Sequence, residues 1–440
     1  MIPSLTKMKE FLFSLFAHEE KKRVMSNFFF LSLLQGANYI LPLLTFPYLT
    51  RVLGPGLLGS LAIASSLVAY FNPLTDFGFG FTATREIAIS RNDKQKTAEI
   101  FSAVMLLKII LTTISLCILL GIVFAVPSYK KEIWLFLFTF GLTVGQVLFP
   151  AWFFQGMEQM QYVTFLNIFA KVIFTLAIFV FVRSQQDYLF VPFFQGMGFI
   201  VSGLISLWIV YKVFGIRWTK PSASLVKNLL KDSWYIFVSS LVTSIYTISS
   251  PLFLSFYATK EQVGYFYGAN KIIEITKTLF GPISGALYPY LSHKAHHKKE
   301  NFPHIIRKIL LLMGILTFFG SLFLFVFSPL IVSIILGQEY NSAIPILRIM
   351  SFIPFFVALS TVLGIQTLLP LKKNKAFTLI MSLGSIFFIC CSFLILPQKQ
   401  SEGMGWVMLL TEISVFLCLL FYILCILKFP LFKKSSNKEF

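Results

Sequence analysis

Charge is scarce in this 440-residue chain, and negative charge scarcest of all. Asp and Glu number 18 against 37 Lys and Arg, and the four types together make up only 12% of the sequence. A soluble domain carries about 25% charged and about 45–50% hydrophobic residues. Here hydrophobic residues reach 57%, and Phe alone occurs 52 times. No water-soluble fold of this length has an interior large enough to hide that much apolar surface, so the composition excludes a soluble protein. Cysteine is also sparse. Cys117, Cys390, Cys391, Cys418 and Cys425 all lie in apolar runs and form no C-x-x-C pair, so they read as small packing residues rather than a redox or metal framework. No G-x-x-x-x-G-K-[ST] motif occurs, which excludes ATP hydrolysis by a P-loop. His293, His296, His297 and His304 cluster in "SHKAHHKKENFPH". Lys294, Lys298 and Lys299 beside them repel cations, so this is a solvated basic loop and neither a metal nor a cofactor is expected.

What is present is a series of long apolar runs. A bilayer core takes about 20 residues of helix to cross. Twelve runs meet that measure: 28–50, 57–79, 98–126, 133–154, 162–182, 188–211, 233–257, 263–290, 309–336, 343–371, 376–396 and 404–427. The expected class is an all-α polytopic membrane protein of about 12 transmembrane helices, with no soluble domain. Lys and Arg orient it. The N-terminus, the loops 80–97, 155–161, 212–232, 291–308 and 372–375, and the C-terminal tail hold 26 of them. The alternate connections hold six (Arg51, Lys130, Lys131, Arg183, Lys260 and Lys399), and five more fall within runs. That asymmetry puts both termini in the cytoplasm. The net charge of +19 is therefore positive-inside bias and attraction to anionic membrane lipids, with no call for nucleic acid. Residues 11–17 are too short for a signal peptide and lack a small-residue cleavage site. Leu5, Met8, Leu12 and Phe16 instead form one face of an interfacial helix.

The chain also repeats weakly. "RVLGPGLLGSLAIA" (51–64) overlies "FYATKEQVGYFYGA" (256–269) at an offset of 205, and "FFQG" (153–156) overlies "GIQT" (364–367) at about 211. The expected organisation is a cytoplasmic interfacial segment (1–27), a six-helix lobe (28–211), a cytoplasmic linker (212–232), a second six-helix lobe (233–427) and a basic cytoplasmic tail (428–440). An even number of spans per lobe makes the two parallel, and the groove between such halves is the natural place for a substrate. Gln35, Asn38, Pro42 and Thr45 share a face of the first run, and Ser240, Thr243, Thr247 and Ser250 share one in the seventh, ahead of Pro251. Such faces either hydrogen-bond neighbouring helices or line a cavity.

Ionisable residues inside apolar runs carry the functional signal, because each costs about 2.5–3.5 kcal/mol on insertion scales. In "NKIIEITKT" (270–278), Asn270, Glu274, Lys277 and Thr278 fall within one arc of a helix, with Lys271 at its edge. Glu274 stands three residues from each lysine, so it can neutralise one and leave a positive charge. The arrangement is either an ion pair stapling helices together or the wall of a wet cavity awaiting an anion. Lys108 and Lys171 are candidates for snorkelling or cavity lining. Arg51 and Arg348 are candidates for interfacial anchors or for guarding a cavity mouth. Glu274 and Glu412 are the deep acids in the runs, and hence the candidates for ion coupling. Asp76 with Gly78 and Gly80 reads as a helix break, and Glu158 as a turn contact.

Several stretches resemble the Wzx (O-antigen transporter, RfbX-like) polysaccharide flippases of the multidrug/oligosaccharidyl-lipid/polysaccharide exporter superfamily. They are "QGANYILPLLTFPYLTRVLGPGLLG" (35–59), "DFGFGFTATREIA" (76–88), "AWFFQGMEQMQY" (151–162), "VGYFYGANKI" (263–272), "LYPYLS" (287–292) and "IQTLLPLKKNKAF" (365–377). Gly56 departs from the pattern by standing where Glu is expected. The resemblance implies a protein, not an enzyme, that moves undecaprenyl-pyrophosphate-linked oligosaccharide from the inner to the outer leaflet of the bacterial plasma membrane. It also implies a polysaccharide polymerase and a chain-length regulator as partners. On the residues themselves, Lys271 and Lys277 are the expected holders of such a pyrophosphate through charge-assisted hydrogen bonds, with Arg51, Arg348, Lys108, Gln35, Asn38, Asn270 and Glu274 as further substrate-binding candidates. Two other readings remain. A multidrug or cation antiporter of the same superfamily should line its cavity with acids, whereas this chain favours lysines. A membrane polymerase or glycosyltransferase needs carboxylates or a large outer loop, and the outer connections here are short.

Overall fold

In the computed structural model, residues 19–278, 281–297, 302–427 and 429 are described. Most of the expected interfacial segment, nearly all of the basic tail and residues 298–301 of the histidine loop lie outside them. The described residues are predominantly helical, with no strand among them. Eight stretches are long and apolar enough to cross a membrane: Leu33–Ser90, Lys94–Ala125, Ile133–Gly156, Met160–Phe181, Gln185–Lys212, Phe302–Val326, Ala343–Leu368 and Asn374–Ile426. The chain is thus an all-helical membrane protein. Eight is fewer than the twelve runs expected, for two physical reasons. The first and last stretches, 58 and 53 residues, are each more than twice the length one crossing needs, and each is broken by a residue outside helical geometry. These are Gly54 (φ 70, ψ 174) and Gln400 (φ 45, ψ −119), and Pro397 precedes the second break. The runs expected at 233–257 and 263–290 fall on helices whose polar residues dilute their hydropathy.

The chain divides into two compact units, Met1–Thr45 with Leu67–Leu241, and Phe46–Ser66 with Val242–Phe440. These cuts differ from the lobes drawn from sequence. Residues 46–66 group with the second half of the chain, and 223–241 group with the first.

The first unit takes in most of α1 (Glu19–Ala69) apart from 46–66, then α2 (Phe71–Asp76), α3 (Phe79–Ser90), α4 (Lys94–Ala125), α5 (Ile133–Leu148), α6 (Ala151–Gly156), α7 (Met160–Phe181), α8 (Phe190–Lys212) and the start of α9 (Ala223–Ile248). In lipid, helices are held by close packing and buried hydrogen bonds, because tails compete for apolar side chains. The crossing of α5 and α8 uses small residues for this purpose. A Cβ on Gly145 would lie 2.6 Å from Phe199 Cβ, and one on Gly203 would lie 2.7 Å from Leu148 Cβ. Asp93 caps α4 by accepting from the Gln95 and Lys96 amides, both at 3.0 Å, which satisfies two of the orphan donors of its first turn. Between α2 and α3 the chain passes through Phe77 (φ 48) and Gly78 (φ 84). A side chain on Gly78 would strike Ile236 at 2.8 Å, and Phe77 stacks on Phe237 at 4.5 Å, so this break docks against α9. Facing outward on α4 are Ile109, Ile110, Ile114 and Ile118, the lipid-side surface of a spanning helix.

The second unit contains residues 46–66, the end of α9, α10 (Ser250–Ser255), α11 (Lys260–Thr278), α12 (Gly281–His297), α13 (Phe302–Val326), α14 (Ser328–Ile335), α15 (Ala343–Met350), α16 (Ile353–Leu363) and α17 (Asn374–Phe421). Prolines at the first turns of α10, α14 and α16 start those helices where an amide would lack a partner anyway. Residues 46–66 are tied in by Thr50, whose hydroxyl donates to the Ile335 carbonyl at 3.3 Å, and by Arg51, whose guanidinium donates to the Ile334 carbonyl at 2.5 Å. They also cross α11 at van der Waals limit. A Cβ on Gly59 would sit 1.9 Å from the Lys260 carbonyl oxygen, and one on Gly264 would sit 1.9 Å from that of Pro55. Gly59 and Gly264 are one offset of 205 apart, and so are Pro55 and Lys260. The weak repeat is therefore also a reciprocal contact, each copy's glycine admitting the other's backbone. At Gly56 an added Cβ would meet Glu261 Oε1 at 3.2 Å. The carboxylate that the resemblance led one to expect at 56 would crowd another already there.

Candidate functional site

Two ion-paired lysines within the apolar runs stand out, one in each unit, and each is built from different local logic. In the second unit the carrier is α11. Its apolar face buries Val263, Phe266, Ala269, Ile272 and Ile273 completely or nearly so, and this fixes the rotation that brings the polar arc out. On that arc Lys271 Nζ meets Glu274 Oε2 at 2.9 Å, and Asn270 Nδ2 donates to Glu274 Oε1 at 3.2 Å. Lys271 also lies over the Tyr267 ring, 5.9 Å from its centroid. The Lys271 and Glu274 side chains are 30% and 40% exposed, so the pair is open to an arriving group. Asn270 Oδ1 is buried with no hydrogen-bond partner among the described residues. Glu274 thus takes one lysine only. Lys277 is half-buried, has no carboxylate partner among the described residues, and borders a cavity of about 270 Å³ with Ser284, Thr361 and Gln366. Gln366 Nε2 donates to Ser284 Oγ at 3.3 Å there, while its Oε1 is left unpaired.

In the first unit the cation is Lys108 on α4. Its ammonium meets Asp76 Oδ1 at 3.0 Å, and its side chain is 7% exposed. Asp76 is set by the α2 terminus, where its other oxygen accepts the Gly80 amide at 3.3 Å. From sequence, Asp76 reads as a helix break and Lys108 as a snorkelling or cavity-lining cation. The structure joins them, and it adds Asp76 to Glu274 and Glu412 among the acids at depth. The pair borders a cavity of about 430 Å³ whose wall includes Asn72, Gln146, Trp152, Gln155 and Asn167. The sequence singles out none of these as a site residue, since neutral amides scattered over four segments leave no periodic trace.

The remaining candidates are dispersed. Asn38 accepts a hydrogen bond from Lys171, so these two staple α1 to α7 within the first unit. Gln35 is exposed. Arg51 caps the carbonyl end of α14, an arrangement favoured by the helix dipole. Arg348 donates from Nε to Ser328 Oγ at 3.0 Å and sits 6.0 Å from the Phe325 ring centroid, again an anchoring role. Glu412 is half-buried on α17. Glu158, in a left-handed turn (φ 58), pairs with Arg91 at 2.8 Å.

Long apolar helices in two compact units define the class as a polytopic all-helical membrane fold, and solved structures share that fold. The chain is similar to an inward-facing multidrug resistance MATE family transporter of the MOP superfamily, with a TM-score of 0.69 at 14% identity over 89% of this chain and 96% of that one. It is equally similar to the lipid II flippase MurJ in an inward closed conformation, with a TM-score of 0.68 at 13% identity over 89% and 87%. At the level of sequence the chain belongs to the polysaccharide biosynthesis protein family, whose profile matches residues 24–295. Two curated relatives bear the name "Putative O-antigen transporter". The one from Escherichia coli (strain K12) is 32% identical over 92% of this chain and 97% of its own length. The one from Shigella dysenteriae is 30% identical over 90% and 98%.

Proposed function

We propose that this protein is a flippase that carries undecaprenyl-pyrophosphate-linked oligosaccharide, an O-antigen or related repeat unit, across the bacterial plasma membrane. Twelve spans in two six-helix halves, with both termini in the cytoplasm, expose the cargo site alternately to the two membrane faces. The names borne by two relatives of nearly equal length support the cargo class. The observation that carries the reading is the arc on α11. Lys271 is loosely held by Glu274 in a half-exposed pair, and Lys277, with no carboxylate partner among the described residues, lies nearly two turns along.

The chemistry follows from that geometry. A pyrophosphate brings negative charge and several acceptor oxygens. Charge-assisted hydrogen bonds to such groups contribute about 1.5–3 kcal/mol each, more than a half-exposed intrahelical pair, so Lys271 exchanges Glu274 for phosphate. Glu274 keeps its bond to Asn270 and stays clear of the anion. Lys277 supplies the surplus charge. With no P-loop in the chain, transport runs without ATP, and Glu274 and Glu412 are the carboxylates put forward for ion coupling. A polymerase and a chain-length regulator are proposed as partners on the outer face. The similar fold of a multidrug transporter does not distinguish cargoes. Lys277 supports the anionic cargo, because a site for cationic drugs would place an acid there.

The test is export in cells that lack their own O-antigen flippase but make the lipid-linked repeat unit. The intact chain is expected to restore surface glycan, and Lys277→Ala to lose it at equal abundance. Restored resistance to cationic drugs with no glycan at the surface would replace this reading by the antiporter.

A further inference from the structure

The first-unit cavity differs in kind from the lysine arc, and the difference points to a ligand of its own. At about 430 Å³ it falls within the size range of small-molecule sites. Its charges cancel, because Lys108 is paired with Asp76 at 3.0 Å. A free anion meets the Asp76 carboxylate and a free cation meets the Lys108 ammonium, so neither finds an uncompensated partner. What remains available is neutral hydrogen-bonding capacity. Asn72, Gln146, Gln155 and Asn167 all border the space. Asn72 Oδ1 already accepts from Thr143 at 3.2 Å, and Asn167 spends one amide hydrogen on the Val163 carbonyl at 2.9 Å. Each therefore retains donors or acceptors for a guest. Trp152 supplies the second, independent sign. It is 3% exposed and borders the cavity, yet its indole N–H is buried with no hydrogen-bond partner among the described residues. Buried donors are rarely left without an acceptor. Its ring is already packed against Phe101 and Phe153, so it is the N–H edge, not the ring face, that the site has to offer.

We propose that this cavity is a sugar subsite, taking a neutral hexose or N-acetylhexosamine ring. Vicinal hydroxyls donate and accept at once, which side-chain amides match and isolated charges do not. The indole N–H and the outer lone pairs of Asp76 serve as fixed donor and acceptor points, respectively, that orient the ring. The cargo identity rests on the flippase reading. The subsite itself rests on the cavity, its cancelled charge and the unpaired indole.

Two arms test this with the full chain. In the first, protein in lipid nanodiscs is examined by saturation-transfer NMR against glucose, galactose, rhamnose and N-acetylglucosamine. At least one sugar is expected to show transfer, reduced at least fivefold by Trp152→Phe, which keeps the ring and removes the N–H, and by Asn167→Leu, but kept by Lys271→Ala. No transfer from any of the four, or transfer unaffected by both cavity variants, overturns the subsite. In the second, cells supply two repeat units that share the lipid pyrophosphate and differ in sugars. Gln146→Leu and Asn167→Leu are expected to shift the ratio of the two exported glycans at least fivefold at unchanged abundance, whereas Lys271→Ala lowers both alike. Equal loss of both glycans in the cavity variants sinks the subsite and leaves the flippase standing. Sugar binding by a protein that exports neither glycan sinks the flippase and leaves the subsite.

Discussion

The two units each hold a lysine against a carboxylate at about 3 Å, and the two pairs are built for opposite purposes. Lys108 and Asp76 come from different helices, 32 residues apart, and the lysine side chain is almost sealed. Lys271 and Glu274 are one turn apart on a single helix, and both remain substantially exposed. A sealed ammonium cannot lose its partner cheaply, because the charge left behind has nothing to replace it. A half-open pair can, since water or an incoming anion takes the vacated place. The same two functional groups thus make a lock in one unit and an exchangeable contact in the other.

Breaking the lock should give the largest effect on stability. Asp76→Leu strands the Lys108 ammonium and is expected to destabilise the protein by about 3 kcal/mol, the low end for a buried pair because the Asp76 side is 45% exposed. Thermal unfolding in detergent and yield by size-exclusion chromatography measure it. Adding Lys108→Met removes the stranded charge and should recover most of the loss. A single variant as stable as the wild type would show that Lys108 reaches water by another route and that the contrast between the pairs is false.

Lys271→Ala should do the reverse, costing below about 1 kcal/mol in stability. Removing its contact to phosphate, about 1.5–3 kcal/mol, should lower export about tenfold or more. Lys271→Arg should rescue part of it. If the arc is only a staple, single substitutions will lower abundance, and replacing Lys271, Glu274 and Lys277 together by apolar residues will restore both abundance and export. A working triple variant would end the phosphate assignment. Glu274→Gln keeps an oxygen for Asn270 and should impair export less than loss of a lysine. A greater loss would make Glu274 a carrier of the coupling proton.

How far sequence could see these features depended on whether partners share an element. The α11 pair was legible because helical periodicity relates residues three apart. The crossing at Gly59 and Gly264 was half legible: the repeat appeared as an offset of 205, but nothing in an offset says that the two copies touch. The Lys108 pair was not legible, since Asp76 sits at a chain break that offered its own sufficient explanation and no periodicity links α2 to α4. The neutral cavity around Trp152 was invisible for the same reason, its amides being spread over four segments. Membrane class was plain from composition. The break at Gly54 falls in the "RVLGPG" turn that separated the first two runs, whereas Gln400, a non-glycine at positive φ, had no local signature beyond nearby Pro397.

The smallest effect is expected where a cation is held by a neutral group. Lys171 donates to the Asn38 amide oxygen, and both side chains are half-buried. An amide stabilises an ammonium by one hydrogen bond without cancelling its charge, so the contact contributes about 1 kcal/mol, and a half-buried ammonium recovers part of that from water on its loss. Asn38→Leu should therefore lower the unfolding temperature by a few degrees at most and change export less than twofold. Sequence reading had placed Asn38 among the substrate-binding candidates, and the experiment separates the two roles cleanly. A staple acts through stability, so Asn38→Leu and Lys171→Met should have equal, non-additive effects on melting, while export per folded molecule stays at the wild-type level. A cargo contact acts on transport itself. A tenfold fall in export by Asn38→Leu at unchanged melting temperature would make Asn38 a cargo contact and end its reading as a staple.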